Sequence, residues 1–204
     1  MKDMYFEITG GLYLILDIDN HEQKLFDMVS SAMLGGVDVL GLNISGFKGD
    51  LYKLINKLNS EASKFDVPLI VIDEWKVLNE AHFDGVHLSQ GNSEYEQLMG
   101  QIEGEFILGM NCTRLKDVEF ASEFLLDYIS INVNSLTRNK LDSINENIDR
   151  ILFLEGINNP DEICDYQGIS FDGIIIDLDC LDKENILKSI EKYKTALSSV
   201  LEHY

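Results

Sequence analysis

Short runs of Ile, Val and Leu alternate along this chain with longer stretches whose apolar residues recur every three or four positions. The runs read GLYLILD at 11–17, VDVLGLN at 37–43, PLIVID at 68–73 and GVHL at 85–88. They continue as FILGM at 106–110, YISINV at 128–133, ILFL at 151–154 and GIIID at 173–177. Each is short enough for a β-strand, and most lack strict apolar–polar alternation, as strands buried on both faces of a parallel sheet do. Between them, Leu51, Leu54, Ile55, Leu58, Ala62 and Phe65 make one stripe at helical spacing. Ile186, Ile190, Tyr193, Leu197, Val200 and Tyr204 make another. Leu25, Val29 and Ala32 predict a helix after the first strand, and Leu115, Val118, Ala121 and Phe124 one after the fifth. Weaker helical patterns cover 75–82, 95–101 and 141–148, and Pro160 with Asp161 and Glu162 marks a helix start.

Eight strand–helix units therefore follow one another, with no linker or low-complexity segment between them. Strict βα alternation dictates parallel strands joined by helical crossovers. Eight such units predict an α/β fold, a (β/α)8 TIM barrel occupying residues 1–204 as a single domain. The competing doubly wound open sheet would carry a GxGxxG fingerprint, which this chain lacks.

Charge narrows the partners. Sixteen Lys and Arg against 36 Asp and Glu give a formal net charge of −20. A surface of that sign repels nucleic acid and anionic lipid, and no run of Lys or Arg offsets it locally. No apolar run approaches the roughly 20 residues of a membrane span, and MKDMYFEITGG lacks the pattern of a signal peptide. Cys112, Cys164 and Cys180 form no CxxC pair and read as reduced thiols. These features predict a cytoplasmic protein, for which a homodimer is the commonest assembly.

In a barrel of this kind chemistry sits where strands end and loops begin, on the C-terminal face. That rule selects Asp17 and Asp19, Asn43 and Ser45, Asp73 and Glu74, and then His87, Ser89, Gln90 and Asn92. It continues with Asn111, Cys112 and Thr113, with Asn132, Asn134, Thr137, Arg138 and Lys140, and with Glu155, Asp177 and Asp179. Seven of these are acids, against one Arg and one Lys, so a bare phosphate meets repulsion there. A divalent cation held by Asp73 or Asp17 would reverse that, and a cationic ligand such as a thiazolium or an amine would not need it. Some of the acids are expected only to cap helices. Cys112 and His87 could form a thiol–imidazole pair if they faced each other, although each is also a residue type that fills cores. Lys140 could reach an anionic ligand or simply stay in solvent. DLDCLD at 177–182 lacks the Gly and distal Glu of an EF-hand loop.

In order, the segments LYLILD, GGVDVLGL, VPLIVIDEWKVL, FDGVHLSQGN, ILGMNCT, DYISINVNSLTRNK, LEGINNP and FDGIIID span residues 12 to about 182. So arranged, the chain resembles the thiamine phosphate synthase and thiazole tautomerase superfamily, with FDGVHLSQ the most specific segment. The resemblance implies a small (β/α)8 barrel that joins a hydroxymethylpyrimidine diphosphate to a thiazole phosphate with Mg²⁺, releasing diphosphate. Carried over position by position, it implies Asp73 and Asn92 at the metal, and Lys140 and His87 in catalysis. It further implies Asn43, Gln90, Asn111, Thr137 and Gly156 around the substrate.

Several positions depart from the family pattern. Its Gln-x-Arg-x-Lys after strand two reads Gly41, Asn43, Ser45, and its Asn-Asp-Arg after strand three reads Ile72, Asp73, Glu74. Asn92 stands for a second Asp, Asn111 for a Ser, and Asn139 for the second Thr of Thr-x-Thr-Lys. The Gly-Gly-Ile phosphate loop reads Glu155, Gly156, Ile157, and Val133 takes the place of the tautomerase His. These changes delete cations and add carboxylates. They leave three expectations open: a divergent synthase, an enzyme for another small molecule, and a non-catalytic barrel that binds a thiamine-related ligand or a protein.

Overall fold

The computed structural model describes residues 6–18, 22–89, 91–101, 105–145 and 148–201. Eight parallel strands pair in chain order and close into a barrel. They are β1 (Gly11–Asp17), β2 (Val39–Asn43), β3 (Leu69–Ile72), β4 (Gly85–Leu88), β5 (Ile107–Cys112), β6 (Tyr128–Asn132), β7 (Ile151–Glu155) and β8 (Gly173–Asp177). Around them lie α1 (Glu22–Leu34), α2 (Leu51–Ala62), α3 (Gly91–Met99), α4 (Leu115–Ser122), α5 (Arg138–Asn145) and α6 (Ile186–Leu201). This is the (β/α)8 barrel that the alternation predicts. Two of its crossovers differ, because 3₁₀ segments at Trp75–Val77 and Pro160–Tyr166 stand where the pattern implies α-helices. Residues 73–84, the whole connection from β3 to β4, are a bare dozen, and their only helical turn is the 3₁₀ segment. At the other segment Pro160 occupies the first turn and the Asn159 side chain accepts from Asp161 N–H, as the sequence pattern implies.

Period-two alternation sorts each strand between two cores. Leu12, Leu14 and Leu16 of β1 face the helices, where the buried stripe of α6 (Ile186, Ile190, Tyr193, Leu197, Val200) also packs. Tyr204, the last member of that predicted stripe, lies outside the described residues. Tyr13, Val39, Ile70, Ile107, Tyr128, Phe153 and Ile175 fill the barrel interior, with Ile8 joining them from the segment ahead of β1. The interior is aromatic: Tyr13, Tyr128 and Phe153 meet edge to face with centroids 5.3–6.0 Å apart. Glycines make that room, since a Cβ at Gly109 would lie 1.9 Å from the Tyr128 ring and one at Gly41 2.7 Å from that of Tyr13.

The N-terminal end of the barrel is tied by one device used four times. Asp38, Asp84, Asp127 and Asp172 each immediately precede an even-numbered strand. Each gives its backbone N–H to the carbonyl of a leucine at the start of the preceding odd strand, Leu12, Leu69, Leu108 or Leu152. Each carboxylate then accepts that same leucine's N–H, at 2.7–2.8 Å. The strand starts are thus tied pairwise by two-point clamps.

Candidate active site

Register decides which side chains meet at the open end. Asp17 pairs with Asn43, Ile15 with Asp177, Ile72 with His87, Asn111 with Ser130, and Asn132 with Glu155. Together these strand ends surround a cavity of about 340 Å³, lined by Asp17, Asn43, His87, Asn111, Glu155 and Asp177. Ile15, Ile72, Ser89, Thr113 and Asn132 complete the wall, and none of these lining residues is a Lys or Arg. A cavity of that size has room for one small molecule, and a second of about 640 Å³ adjoins it at Ile15, Asp17 and Asp177.

Most of the polar groups are held in place. Asn43 Nδ2 donates to Asp17 Oδ1 at 2.7 Å, and Asn111 Nδ2 donates to Glu155 Oε2 at 2.7 Å and to Ser130 Oγ at 3.2 Å. His87 is 2% exposed, stacks on Tyr128 and places Nδ1 3.1 Å from the Tyr128 hydroxyl, which itself donates to Tyr13. Its Nε2 faces Glu155 Oε1 at 3.7 Å, beyond hydrogen-bond length. Glu155 Oε1 is buried and makes no hydrogen bond among the described residues.

Burial sets the local proton affinities. It lowers the pKa of His87 below the usual imidazole value, while the charges of Glu155 and Asp73 pull the other way. Burial raises Tyr128 and Tyr13 far above the usual phenol range. Asp177 rises too, through partial burial first and then the neighbouring charges of Glu155, Asp17 and Asp179. Burial thus favours the neutral forms of both His87 and Asp177.

Of the site residues that the family resemblance implies, the structure brings Asn43, His87 and Asn111 together in the cavity wall. Asp73 lies beside that wall, pinned by its N–H on the His87 carbonyl and by Ser89 N–H on its Oδ1 at 2.7 Å. Its φ of +60° is unusual for a residue with a side chain. Thr137 and Lys140 are exposed at the start of α5 and line none of this cavity, and the Thr137 carbonyl accepts the Lys140 N–H as a helix start. Gly156 keeps a positive φ of +84°, but a Cβ there would meet the side chains of Asn134 and Asn132, which occupy the space beside it. Gln90 lies outside the described residues, as does the side chain of Asn92 at the start of α3.

One pairing is corrected. Cys112 takes the outward parity of β5 and packs in the helix-facing core, while His87 faces the barrel interior, so they form no thiol–imidazole pair. Burial and the nearby carboxylates push the Cys112 thiol up to about 12, which makes it inert as a nucleophile. Asp179 pairs with Lys183 at 2.7 Å on the surface and does not line the cavity. Sequence reasoning placed Glu155, Asp17 and Asp177 at strand ends, offered Asp17 as a possible cation ligand and gave Glu155 and Asp177 no role. It passed over Tyr13 and Tyr128, whose position inside the barrel shows only in their period-two parity.

The fold and the polar mouth define a small-molecule barrel of the (β/α)8 class, and the comparisons narrow the class. The family model described as thiamine monophosphate synthase matches residues 12–150. The chain is 28% identical over 202 residues to the thiamine-phosphate synthase of Alkaliphilus oremlandii, covering 93% of this chain and 97% of the other. It is 26% identical over 200 residues to that of Clostridium botulinum, covering 92% and 94%. The solved structure of thiamine phosphate pyrophosphorylase from Pyrococcus furiosus superposes with a TM-score of 0.79 at 20% identity, covering 94% and 96%. This chain belongs to the thiamine monophosphate synthase family.

Proposed function

We propose that this chain serves thiamine biosynthesis as a divergent barrel of the synthase type, acting on a thiamine-related small molecule held in the C-terminal mouth. The observation that carries the reading is the family match through β1–β6, which supplies seven of the cavity's polar lining positions, His87 and Asn111 among them. Within the mouth, Asn43 and Asn111 orient polar groups of the ligand, and Ile15 and Ile72 supply the apolar wall. His87, fixed by Tyr128, presents one ring nitrogen to the ligand.

Magnesium fits this site in one way. Among the described residues no group of three or more His, Cys, Asp or Glu could hold a metal ion. A hard cation that keeps several waters needs only one or two carboxylates when phosphates supply the rest. Asp73, already oriented by Ser89 N–H, would be that carboxylate, with Asn92 as the second candidate. Bound there, the ion would offset the charge of a diphosphate leaving group. Lys140 and Thr137 would meet a phosphate only at the outer edge of the site.

A second reading rests on the charge of the wall. Asp17, Glu155 and Asp177 line the mouth, whose own wall holds no Lys or Arg, while Lys24 and Lys183 line the adjoining cavity that shares Asp17 and Asp177. A like charge at about 4 Å costs several kcal/mol at a partly buried site. A cationic thiamine-related ligand would enter without metal, and the barrel would then bind it or act on it by other chemistry.

Thermal denaturation with and without Mg²⁺ separates the two readings, using thiamine phosphate, thiazole phosphate, diphosphate and free thiamine. A ligand at about 100 times its dissociation constant adds about 2.7 kcal/mol, which raises the midpoint by about 5–10 °C at this chain length. A Mg²⁺-dependent rise with the phosphorylated compounds is the expected result for a synthase-type site. A metal-independent rise with free thiamine alone would support the second reading. No rise with any compound would overturn both.

A further inference from the structure

His87 owes its orientation to two side chains that line no part of the mouth. His87, Gly109 and Tyr128 stand side by side in register across β4, β5 and β6. The middle position has no side chain, and a Cβ there would lie 1.9 Å from the Tyr128 ring. Tyr128 leans across that gap and lays its ring on the imidazole, with centroids 5.7 Å apart and planes 21° from parallel. Its hydroxyl meets Nδ1 at 3.1 Å. A phenol both donates and accepts, so this contact holds whichever ring nitrogen carries the proton. Gly41 admits Tyr13 in the same way, since a Cβ there would lie 2.7 Å from the Tyr13 ring. Tyr13 then meets the imidazole edge to face at 6.1 Å, and its hydroxyl lies 3.4 Å from that of Tyr128. Both tyrosines are fully buried, and neither belongs to the cavity wall.

We propose that Tyr128 and Tyr13 are positioning residues, which act on a ligand only through His87 by holding its ring with Nε2 toward the mouth. The proposal rests on the reading of the mouth as the ligand site, and it adds what makes His87 ready before a ligand arrives. Nε2 stands on the cavity side of the ring, 3.7 Å from Glu155 Oε1. A free imidazole turns about two side-chain torsions, which binding would have to fix at a cost of about 2- to 12-fold in affinity. The buried stack fixes both during folding instead. Packing alone does not ask for the two hydroxyls. Phe153, which has none, fills the same interior 5.3 Å from Tyr128 and 5.9 Å from Tyr13. The oxygens therefore serve the imidazole, and burial keeps them as neutral hydroxyls at neutral pH.

Two readouts on the full chain test the proposal, with Tyr128→Phe, Tyr13→Phe and His87→Gln. Circular dichroism melts establish that each variant folds. The first readout is nitrogen NMR of the imidazoles without ligand, the His87 signals being those that His87→Gln removes. Tyr128→Phe is expected to shift the Nδ1 signal and to add signals from a second ring orientation, with a smaller shift in Tyr13→Phe. Unchanged His87 signals in Tyr128→Phe would overturn the proposal. The second readout is calorimetric titration with thiamine phosphate and Mg²⁺. Tyr128→Phe is expected to weaken binding by about 2- to 12-fold, and that loss is expected to vanish once His87 is already Gln. A loss of the same size in the His87→Gln background would overturn the proposal, because the tyrosine would then act on the site by packing alone. So would full affinity in Tyr128→Phe while His87→Gln weakens binding. Full affinity in His87→Gln would overturn it together with the reading of His87 as a ligand contact. If the wild type binds no thiamine phosphate, the functional reading fails, and the nitrogen signals still decide whether the tyrosines hold the ring.

Discussion

Asp177, at the end of β8, is open to solvent at the mouth, yet it binds its proton more tightly than an ordinary aspartate. Partial burial is the first cause, followed by the charges of Glu155, Asp17 and Asp179. Folding thus raises its pKa above the unfolded value of 3.8. Its favourable contribution to folding is complete below that value and is lost as pH rises through the folded pKa. At neutral pH the charged form opposes folding, with a strength that solvent at the mouth reduces. Asp177→Asn should therefore raise the melting temperature at pH 7 by about 2–4 °C for each kcal/mol relieved. The gain should vanish at or below pH 3.8, where the wild-type carboxyl is already protonated. Melting curves of both proteins across that range check the sign, and an equal gain at acid pH would mean that crowding of charge is not the cause. The rim rule found Asp177, Asp17 and Glu155 in the sequence because strand ends are legible. It could not rank them, because facing the cavity depends on register: one residue of slip sends a side chain to the helices, as at Cys112.

At the scale of elements, the paired Asp–Leu clamps account for how so short a chain closes a barrel. Strand positions were legible because runs of four to seven residues rich in Ile, Val and Leu are too short for helices and suit strands buried on both faces. GLYLILD, GVHL and GIIID coincide with β1, β4 and β8 to the residue. β5 was less clear, since its last residues, Asn111 and Cys112, are a polar side chain and a thiol that an apolar pattern does not capture. The clamps themselves were invisible to that pattern: an Asp before a strand looks like any turn residue until its partner N–H is known. Asp127→Ala should leave the Leu108 N–H without its charged acceptor and cost about 1.5–3 kcal/mol in urea denaturation. Asp127→Asn keeps an acceptor oxygen at the same reach and should retain most of the stability. Equal losses in the two variants would show that the carboxylate charge, rather than the hydrogen bond, holds the strands in register.

For the whole molecule, a net charge of −20 sets both a cost and a preference. Carboxylates spread over 204 residues repel one another in the folded state more than in the expanded chain, because folding brings them closer. Salt screens that repulsion: the Debye length falls from about 30 Å at 0.01 M to about 8 Å at 0.15 M. The melting temperature should therefore rise with NaCl over that range at pH 7. Near the sequence pI of about 4.3 the net charge vanishes, and the salt slope should flatten there even though the protein itself is less stable. The same field draws cations toward the mouth, so a cationic ligand such as free thiamine should bind more weakly as NaCl rises at pH 7 while the fold grows firmer. Stability and affinity would then move in opposite directions with one variable. If both instead rise with salt, burial of apolar ring surface rather than charge drives the ligand into the barrel.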